Sequence, residues 1–346
     1  MNKQIIDLRS DTVTLPSSEM LDAIKTIELG DDVFSEDPTV NRLQEKAANL
    51  MGKEEAILVP SGTMGNLASV LTHCARGDEI IVGDQAHTFL YEAGGISAFG
   101  GIHSRQLKNQ PDGTISVDDI KNSIRQENIH FPPTTLICLE STHNRCFGAP
   151  LSIDYMNEVY QIAKDNNCKV HLDGARIFNA AVALNVDVHH LVSAVDSVTF
   201  CLSKGLSSPV GSIVCGSHDF IKKVRHIRKA LGGGMRQAGI IAGFGEIALN
   251  QMIEQIKKDH DMALQLSKGL SDIDGVKTNL DQVYSNIIYF RLDESKSNLS
   301  EQLTTVMEER GILFFEVSPN RYRLVTHYGI NSDDIEKVLS IFNEII

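Results

Sequence analysis

Apolar residues along this chain fall into two alternating spacings. Short apolar, β-branched runs at residues 56–59, 79–82, 102–107, 134–139, 169–172, 198–202 and 210–215 read as buried strands. Between them lie stretches with apolar residues three and four apart, the spacing of a helix with one inward face. The first is capped by Ser17 or Ser18, carries Met20, Ile24 and Ile27, and stops at Gly30. The next has Asp37 as N-cap, Pro38 at the first helical position, Leu43, Ala47 and Leu50 facing inward, and Gly52 as its stop. Further helices are predicted over 62–75, 116–126 and 152–166, with a crossover in 179–195. Strands that alternate with helices imply an α/β fold with a mostly parallel sheet sandwiched by helices. A long helix over 238–258, continued at 262–270, leads into a different pattern. There a strand at 286–292, a helix at 299–310, strands at 313–317 and 322–326 and a helix from Asp333 read as a smaller C-terminal α+β domain. The expected division is a large domain over 1–255 and a small one over 256–346.

Composition narrows the function classes. With 346 residues, 42% hydrophobic and 22% charged, the chain has the make-up of an ordinary globular protein with room for a full core. A formal charge of −13 argues against nucleic acid or an anionic membrane as partner. The opening residues Met1–Asp7 lack a secretory apolar region and no apolar run approaches membrane-spanning length, so a cytoplasmic location is expected. The six cysteines are scattered, with no CxxC pair and no histidine at zinc-ligand spacing, so reduced thiols and no metal are expected.

Candidate chemistry gathers at strand ends. The run 198–202 ends abruptly in Ser203-Lys204-Gly205, which delivers a lysine to the mouth of a sheet. A lysine there suits covalent chemistry with a carbonyl, although Ser-Lys-Gly alone is more often a surface turn. Asp173, which ends the preceding strand in HLDGAR, comes 31 residues earlier, an interval that holds one helical crossover between neighbouring parallel strands. Pyridoxal phosphate needs such a pair, a lysine for its aldehyde and an anion for its ring nitrogen. After residues 56–59 the small-residue turn Ser61-Gly62-Thr63 opens a helix, and the free amides of a helix start suit a phosphate. His87 and His143 each follow a strand on the same predicted edge, a pair suited to proton handling. Arg323 sits between Tyr322 and Leu324 on an apparently buried strand and needs an anionic partner. The basic run from Lys222 to Lys229 reads as a solvated helix face before the glycines of GGGMRQ.

HLDGAR followed by SKGL, with LRSDTVT at residues 8–14 and RLVTH at 323–327, resembles the threonine aldolase family of fold-type-I pyridoxal-phosphate enzymes over nearly the whole chain. The resemblance implies that Lys204 holds pyridoxal 5'-phosphate, that Asp173 pairs with its ring nitrogen, and that Ser61, Gly62 and Thr63 hold its phosphate. It places His87 on the ring face beside the substrate, Arg176 near the ring hydroxyl, and Arg236 against the cofactor near a subunit boundary. Arg323, with Ser10 nearby, would fix the amino-acid carboxylate, and His143 would lie by the substrate. The implied reaction is retro-aldol cleavage of L-threonine or L-allo-threonine to glycine and acetaldehyde, which would serve threonine breakdown and glycine formation. His87, His143 and an ordered water all stand as candidates for the base that takes the β-hydroxyl proton. The implied assembly is a homotetramer, a dimer of dimers.

Departures from the family pattern bear on substrate preference. Phe34 stands where tyrosine is frequent, Ser35 where glycine is common, Ser207-Ser208 where a Gly-Ala step is usual, and Cys146-Phe147 in an often glycine-rich turn. A larger aromatic β-hydroxy amino acid is compatible with them. Two rival readings remain at this stage: another pyridoxal enzyme on the same scaffold, such as a β-eliminating lyase or an aminotransferase, and a cofactor-binding regulatory protein without turnover. A metal-dependent aldolase fits less well, because the histidines lack a carboxylate cluster at ligand spacing.

Overall fold

A computed structural model describes residues 5–346. The first strand, β1 (Ile6–Asp7), runs parallel to β11 (Ile312–Leu313), so the start of the chain is stitched to its C-terminal part. Between them lies a seven-stranded sheet made of β2 (Glu55–Val59), β3 (Glu79–Gly83), β4 (His103–Leu107), β5 (Thr134–Glu140), β6 (Lys169–Asp173), β7 (Ser197–Cys201) and β8 (Ser212–Gly216). Its order is β2-β8-β7-β6-β5-β3-β4. Only β8 runs antiparallel to its neighbours β2 and β7; the other pairings are parallel. The antiparallel strand follows from its connection, since the short loop after Lys204 has no room for the helical crossover that a parallel neighbour requires.

Six of the seven strands are buried on both faces, as near-continuous apolar runs demand, whereas β4, read from the sequence as buried, has no buried residue because it lies at the sheet's edge. On one face the helices Pro38–Met51, Ile153–Asp165, Ile177–Leu184 and Gly239–Ile247 share a core with the sheet built around Leu43, Met156, Leu172, Phe178 and Phe200. On the other, Gly62–His73 and His218–Ala230 cover β2, β3, β5 and β8. Asp37 caps its helix through bonds from Thr39 N and Val40 N, with Pro38 in the first turn and Gly52 in the left-handed region at the end, as the pattern predicts. The Ser17-capped helix is shorter than predicted and stops at Ala23, because Ile24 turns out to solvent.

The sheet's chain path reverses at β3: β4 lies on one side of it and β5 returns on the other. A crevice opens at the carboxyl ends of strands where such a reversal occurs, and it is bordered here by the segments that follow β3 and β5.

Residues 253–271 form one continuous helix after a π-helical turn at Ala248–Met252, with no break where the pattern suggested one. It leads to an antiparallel sheet of β9 (Val276–Thr278), β10 (Ile287–Leu292), β12 (Phe315–Ser318) and β13 (Arg321–Val325), in the order β12-β13-β10-β9. Its core joins Phe290, Tyr322 and Phe342 with Ile6 and Leu8 from the start of the chain. The strand β9 is absent from the sequence pattern because Val276 is its only buried residue. Arg228 departs from the solvated face expected of its basic run. It is 2% exposed, donates to Leu58 O at 2.7 Å and pairs with Asp32 at 2.7 Å. Among the described residues no helix is long and apolar enough to cross a membrane, and all six cysteines are free thiols.

Candidate active site

Four strand ends, the middle of β13 and one helix start supply the site. Asp173 closes β6 and pairs in register with Thr199 of β7, and the chain runs on from β7 to Lys204. Both side chains therefore arise from adjacent strands at one sheet edge, as the 31-residue interval predicts. Asp173 is 3% exposed and held on both oxygens: Ala175 N donates to Oδ1 at 3.0 Å and Asn66 Nδ2 to Oδ2 at 2.9 Å. No hydrogen bond or ion pair reaches the Lys204 ammonium among the described residues. Its charge is felt by Asp11 and by His87, which places it among them.

The helix Gly62–His73 begins beside this edge. Ser61 caps it, accepting from Met64 N at 3.2 Å, and the amides of Gly62 and Thr63 have no intrahelical partner. A Cβ on Gly62 would come within 2.9 Å of Cys201 Sγ, so only glycine lets the turn lie against the ends of β7 and β8. The hydroxyls of Thr199, Ser207 and Ser212 are buried without partners at the same edge. Free amides at a helix start, orphaned hydroxyls and an unpaired lysine fit a phosphate-bearing aldehyde cofactor.

His87 follows β3 and opens a single helical turn. Its amide donates to Glu140 Oε2 at 2.7 Å and its Nδ1 bonds Glu92 Oε1 at 2.9 Å. Burial pulls its pKa down, but the Glu92 hydrogen bond and the Asp173 and Glu92 charges outweigh it and raise it above the ordinary value. Glu92 is raised as well, by burial and by the nearby Asp173 charge. His87, Glu92 and Asp173 present ligand atoms within 4.8 Å of one another. A cation is poorly placed among them, because the Asn66 amide already points N–H groups at both carboxylates.

His143, after β5, is 1% exposed and neither ring nitrogen has a hydrogen-bond partner. The next residue, Asn144, accepts from Arg323 Nη1 at 3.0 Å through Oδ1, while Arg323 Nη2 donates to Arg9 O at 3.0 Å. Arg323 thus lies next to Ser10, which itself caps the turn at Asp11–Val13. Among the described residues Arg323 has no anionic partner: its hydrogen bonds go to neutral oxygens, its guanidinium lies over the Phe315 ring at 5.9 Å, and its Nε is buried and unpartnered. Burial lowers its pKa, with Arg176 adding to the effect.

Arg176 is buried in a two-pronged pair with Asp11, Nε to Oδ2 and Nη2 to Oδ1, both at 2.7 Å. Burial opposes both charges, but the pairing wins and Asp11 is held well below the usual carboxylate range. Arg236 stays apart from the other candidates: its side chain is 57% exposed and contacts Asp31 at 3.0 Å and the face of Phe34. Ser35, Phe147 and Ser207, which lie in the segments that depart from glycine-rich patterns, all have φ near +60°, so those segments keep the left-handed backbone that favours glycine.

Sequence reasoning missed Glu92, Asn66, Asp11 and Glu140. Asn66 carried a weak signal, a polar residue between Gly65 and Leu67 in a buried stretch of the helix that also holds Ser69. Glu92 carried none, since it meets His87 only because the chain folds back after one turn.

A beta-eliminating lyase family profile matches residues 7–293. The chain is 45% identical to low-specificity L-threonine aldolase 1 of Arabidopsis thaliana over 98% of its own length and 96% of that protein. It is 42% identical to the low specificity L-threonine aldolase of Escherichia coli K12, covering 96% of this chain and 97% of that one. Among solved structures, a putative L-allo-threonine aldolase from Listeria monocytogenes superposes with a TM-score of 0.82 at 19% identity, covering 99% and 97% of the two chains. Leishmania major threonine aldolase gives 0.83 at 17% identity over 98% and 99%.

Proposed function

The chain belongs to the beta-eliminating lyase family and groups there with the low-specificity L-threonine aldolases, and from this we propose that it cleaves L-threonine and L-allo-threonine to glycine and acetaldehyde with pyridoxal 5'-phosphate. The observation that carries the reading is Arg323, a half-buried guanidinium with no anionic partner among the described residues, together with an unpaired lysine and a pinned carboxylate on the same chain.

In this reading Lys204 holds the cofactor's aldehyde, Asp173 faces its ring nitrogen, and Gly62, Thr63 and Ser61 receive its phosphate. Arg176 and Arg236 serve its polar edge, the latter across a subunit boundary. When bound, the cofactor supplies an electron sink for the pair of electrons released as the Cα–Cβ bond breaks. The protein's work is orientation and proton transfer. Arg323 and Ser10 grip the substrate carboxylate, and the fork of a guanidinium fixes its plane, so that Cα–Cβ rather than another bond is aligned for cleavage. The β-hydroxyl must lose its proton for the aldehyde to leave. His143 suits that step because neither ring nitrogen has a hydrogen-bond partner and the Glu140 carboxylate, 3.9 Å from Nε2, favours its taking up a proton, whereas His87 is already hydrogen-bonded to Glu92. The half-exposed ring of Tyr91, 5.6 Å from the His87 ring, supports acceptance of bulkier β-hydroxy amino acids.

We take the chain to divide near residue 255, with the start of the chain packed on the second unit. A dimer of dimers is favoured by Arg236, whose side chain lies at the surface, paired with Asp31, where a neighbouring copy can reach it. Six free thiols favour the reducing cytoplasm, where the reaction would supply glycine. Incubation of cofactor-loaded protein with L-threonine, L-allo-threonine and L-phenylserine tests the proposal. Glycine and the matching aldehyde in equal amounts, abolished in Lys204→Ala, are expected. Keto acid or ammonia without glycine would reject aldol cleavage in favour of transamination or elimination.

A further inference from the structure

Behind Asp173 lies a row of polar groups that the reaction itself does not touch. Asn66, His171 and Ser197 are each at most 1% exposed. Asn66 Nδ2 donates to Glu92 Oε1 at 2.8 Å and to Asp173 Oδ2 at 2.9 Å. Its Oδ1 faces His171 Nε2 at 3.2 Å, His171 Nδ1 faces Ser197 Oγ at 2.8 Å, and Ser197 Oγ faces His73 Nε2 at 2.7 Å. His171 and Ser197 are register partners on β6 and β7, and Asn66 and His73 sit two turns apart on the Gly62–His73 helix that lies over them.

The hydrogens in this row can be arranged in one way. Two carboxylates can meet only donors, so the NH2 of Asn66 must face them and its oxygen must face His171. His171 then carries its proton on Nε2 and accepts at Nδ1 from the Ser197 hydroxyl. That hydroxyl has a single proton, so it accepts from His73 Nε2–H. Burial keeps both rings neutral, with His73 and His171 each pulled down to about 3. His73 is stacked on Phe220 at 4.5 Å, which fixes the outer end. If His171 carried its proton on the other nitrogen, a lone pair would face Asn66 Oδ1. The amide would then turn its oxygen toward Glu92 and Asp173.

We propose that Asn66, its orientation locked from behind the sheet by His171, Ser197 and His73, is a positioning residue that aims Asp173 at the cofactor's ring nitrogen and keeps Glu92 on His87. The proposal rests on the pyridoxal-phosphate reading above. At metal sites, removing a residue that orients a ligand without touching the metal costs about ten- to a hundredfold in affinity, and an effect of that size is expected here.

The test uses purified full-length protein and reads pyridoxal phosphate affinity, the pH midpoint of its visible absorption band, and the circular dichroism melt. Wild-type protein that takes up no cofactor would overturn this proposal and the functional one together. In wild type that binds it, Asn66→Asp and His171→Leu should each weaken binding about ten- to a hundredfold and move the band's midpoint. His171→Gln, whose amide restores a donor near the Nε2 position, should recover most of both. His171→Leu that folds and matches wild type in affinity and midpoint would overturn this proposal alone. Should Asn66→Asp and His171→Leu fail to fold, Ser197→Ala decides: a displaced midpoint supports the lock, and an unmoved one overturns it.

Discussion

Replacing Arg323 with leucine should remove substrate recognition at little cost to the fold. In the folded protein the guanidinium has two bonds, both to neutral oxygens, Asn144 Oδ1 and Arg9 O at 3.0 Å each, and a buried Nε without a partner. Bonds from a charged donor contribute about 1.5–3 kcal/mol each, and the desolvation penalty of a charge with no counter-ion, several kcal/mol, offsets most of their sum. The net change in unfolding free energy should therefore stay within about 1–2 kcal/mol. A structural ion pair would behave differently, since breaking one leaves an uncompensated buried charge and costs about 3–5 kcal/mol. For the substrate the sum runs the other way. Two charge-assisted bonds from the guanidinium fork to a carboxylate are worth about 1.5–3 kcal/mol each, so their loss should lower kcat/KM roughly 10²- to 10⁴-fold. Arg323→Lys keeps the charge and loses the fork, and should recover only part of that. Steady-state glycine formation from L-threonine at saturating cofactor, paired with urea unfolding of the same preparations, measures both quantities. A leucine variant with KM and kcat within twofold of wild type would refute the carboxylate assignment, and one destabilised by more than about 3 kcal/mol would show that Arg323 serves the fold.

Two further outcomes follow from the packing. Asp259 is 1% exposed, its Oδ2 has no partner, and burial raises its pKa to about 7 from the model-peptide 3.8. Between those values the folded state holds a proton that the unfolded chain has released, so this group's contribution to stability falls as pH rises from about 4 to about 7 and is flat above. Asp259→Asn should then raise the melting temperature at pH 8 by a few degrees, about 2–4 kcal/mol in stability, with the advantage gone below about pH 4; an equal gain at every pH would contradict it. Gly65→Ala would set a Cβ within 2.6 Å of Thr199 Cγ2 and push the Gly62–His73 helix off β7. Overpacking of this sort costs about 1–3 kcal/mol, and the displaced helix start should also weaken cofactor binding. A urea midpoint at or above wild type would show that the helix accommodates the methyl without moving.

Local signals in the sequence determined most of the elements and part of the site. Ser-Gly-Thr after an apolar run, Asp37-Pro38 before one and Gly52 after it act within a few residues, through caps and backbone geometry, and need nothing from the rest of the chain. The strand-helix alternation likewise carried the parallel sheet, and the interval from Asp173 to Lys204 carried their shared edge. Only the tertiary structure decided which charges meet. Asp11 reaches Arg176 across 165 positions and Asp32 reaches Arg228 across 196, and no periodicity encodes such pairs, because each residue alone reads as an ordinary surface charge. The same holds for Asn66, whose polar side chain is tolerable in an apolar layer only because two carboxylates and a histidine from other elements close around it. What periodicity transmits is the face a residue occupies; the partner waiting on that face depends on how the layers stack.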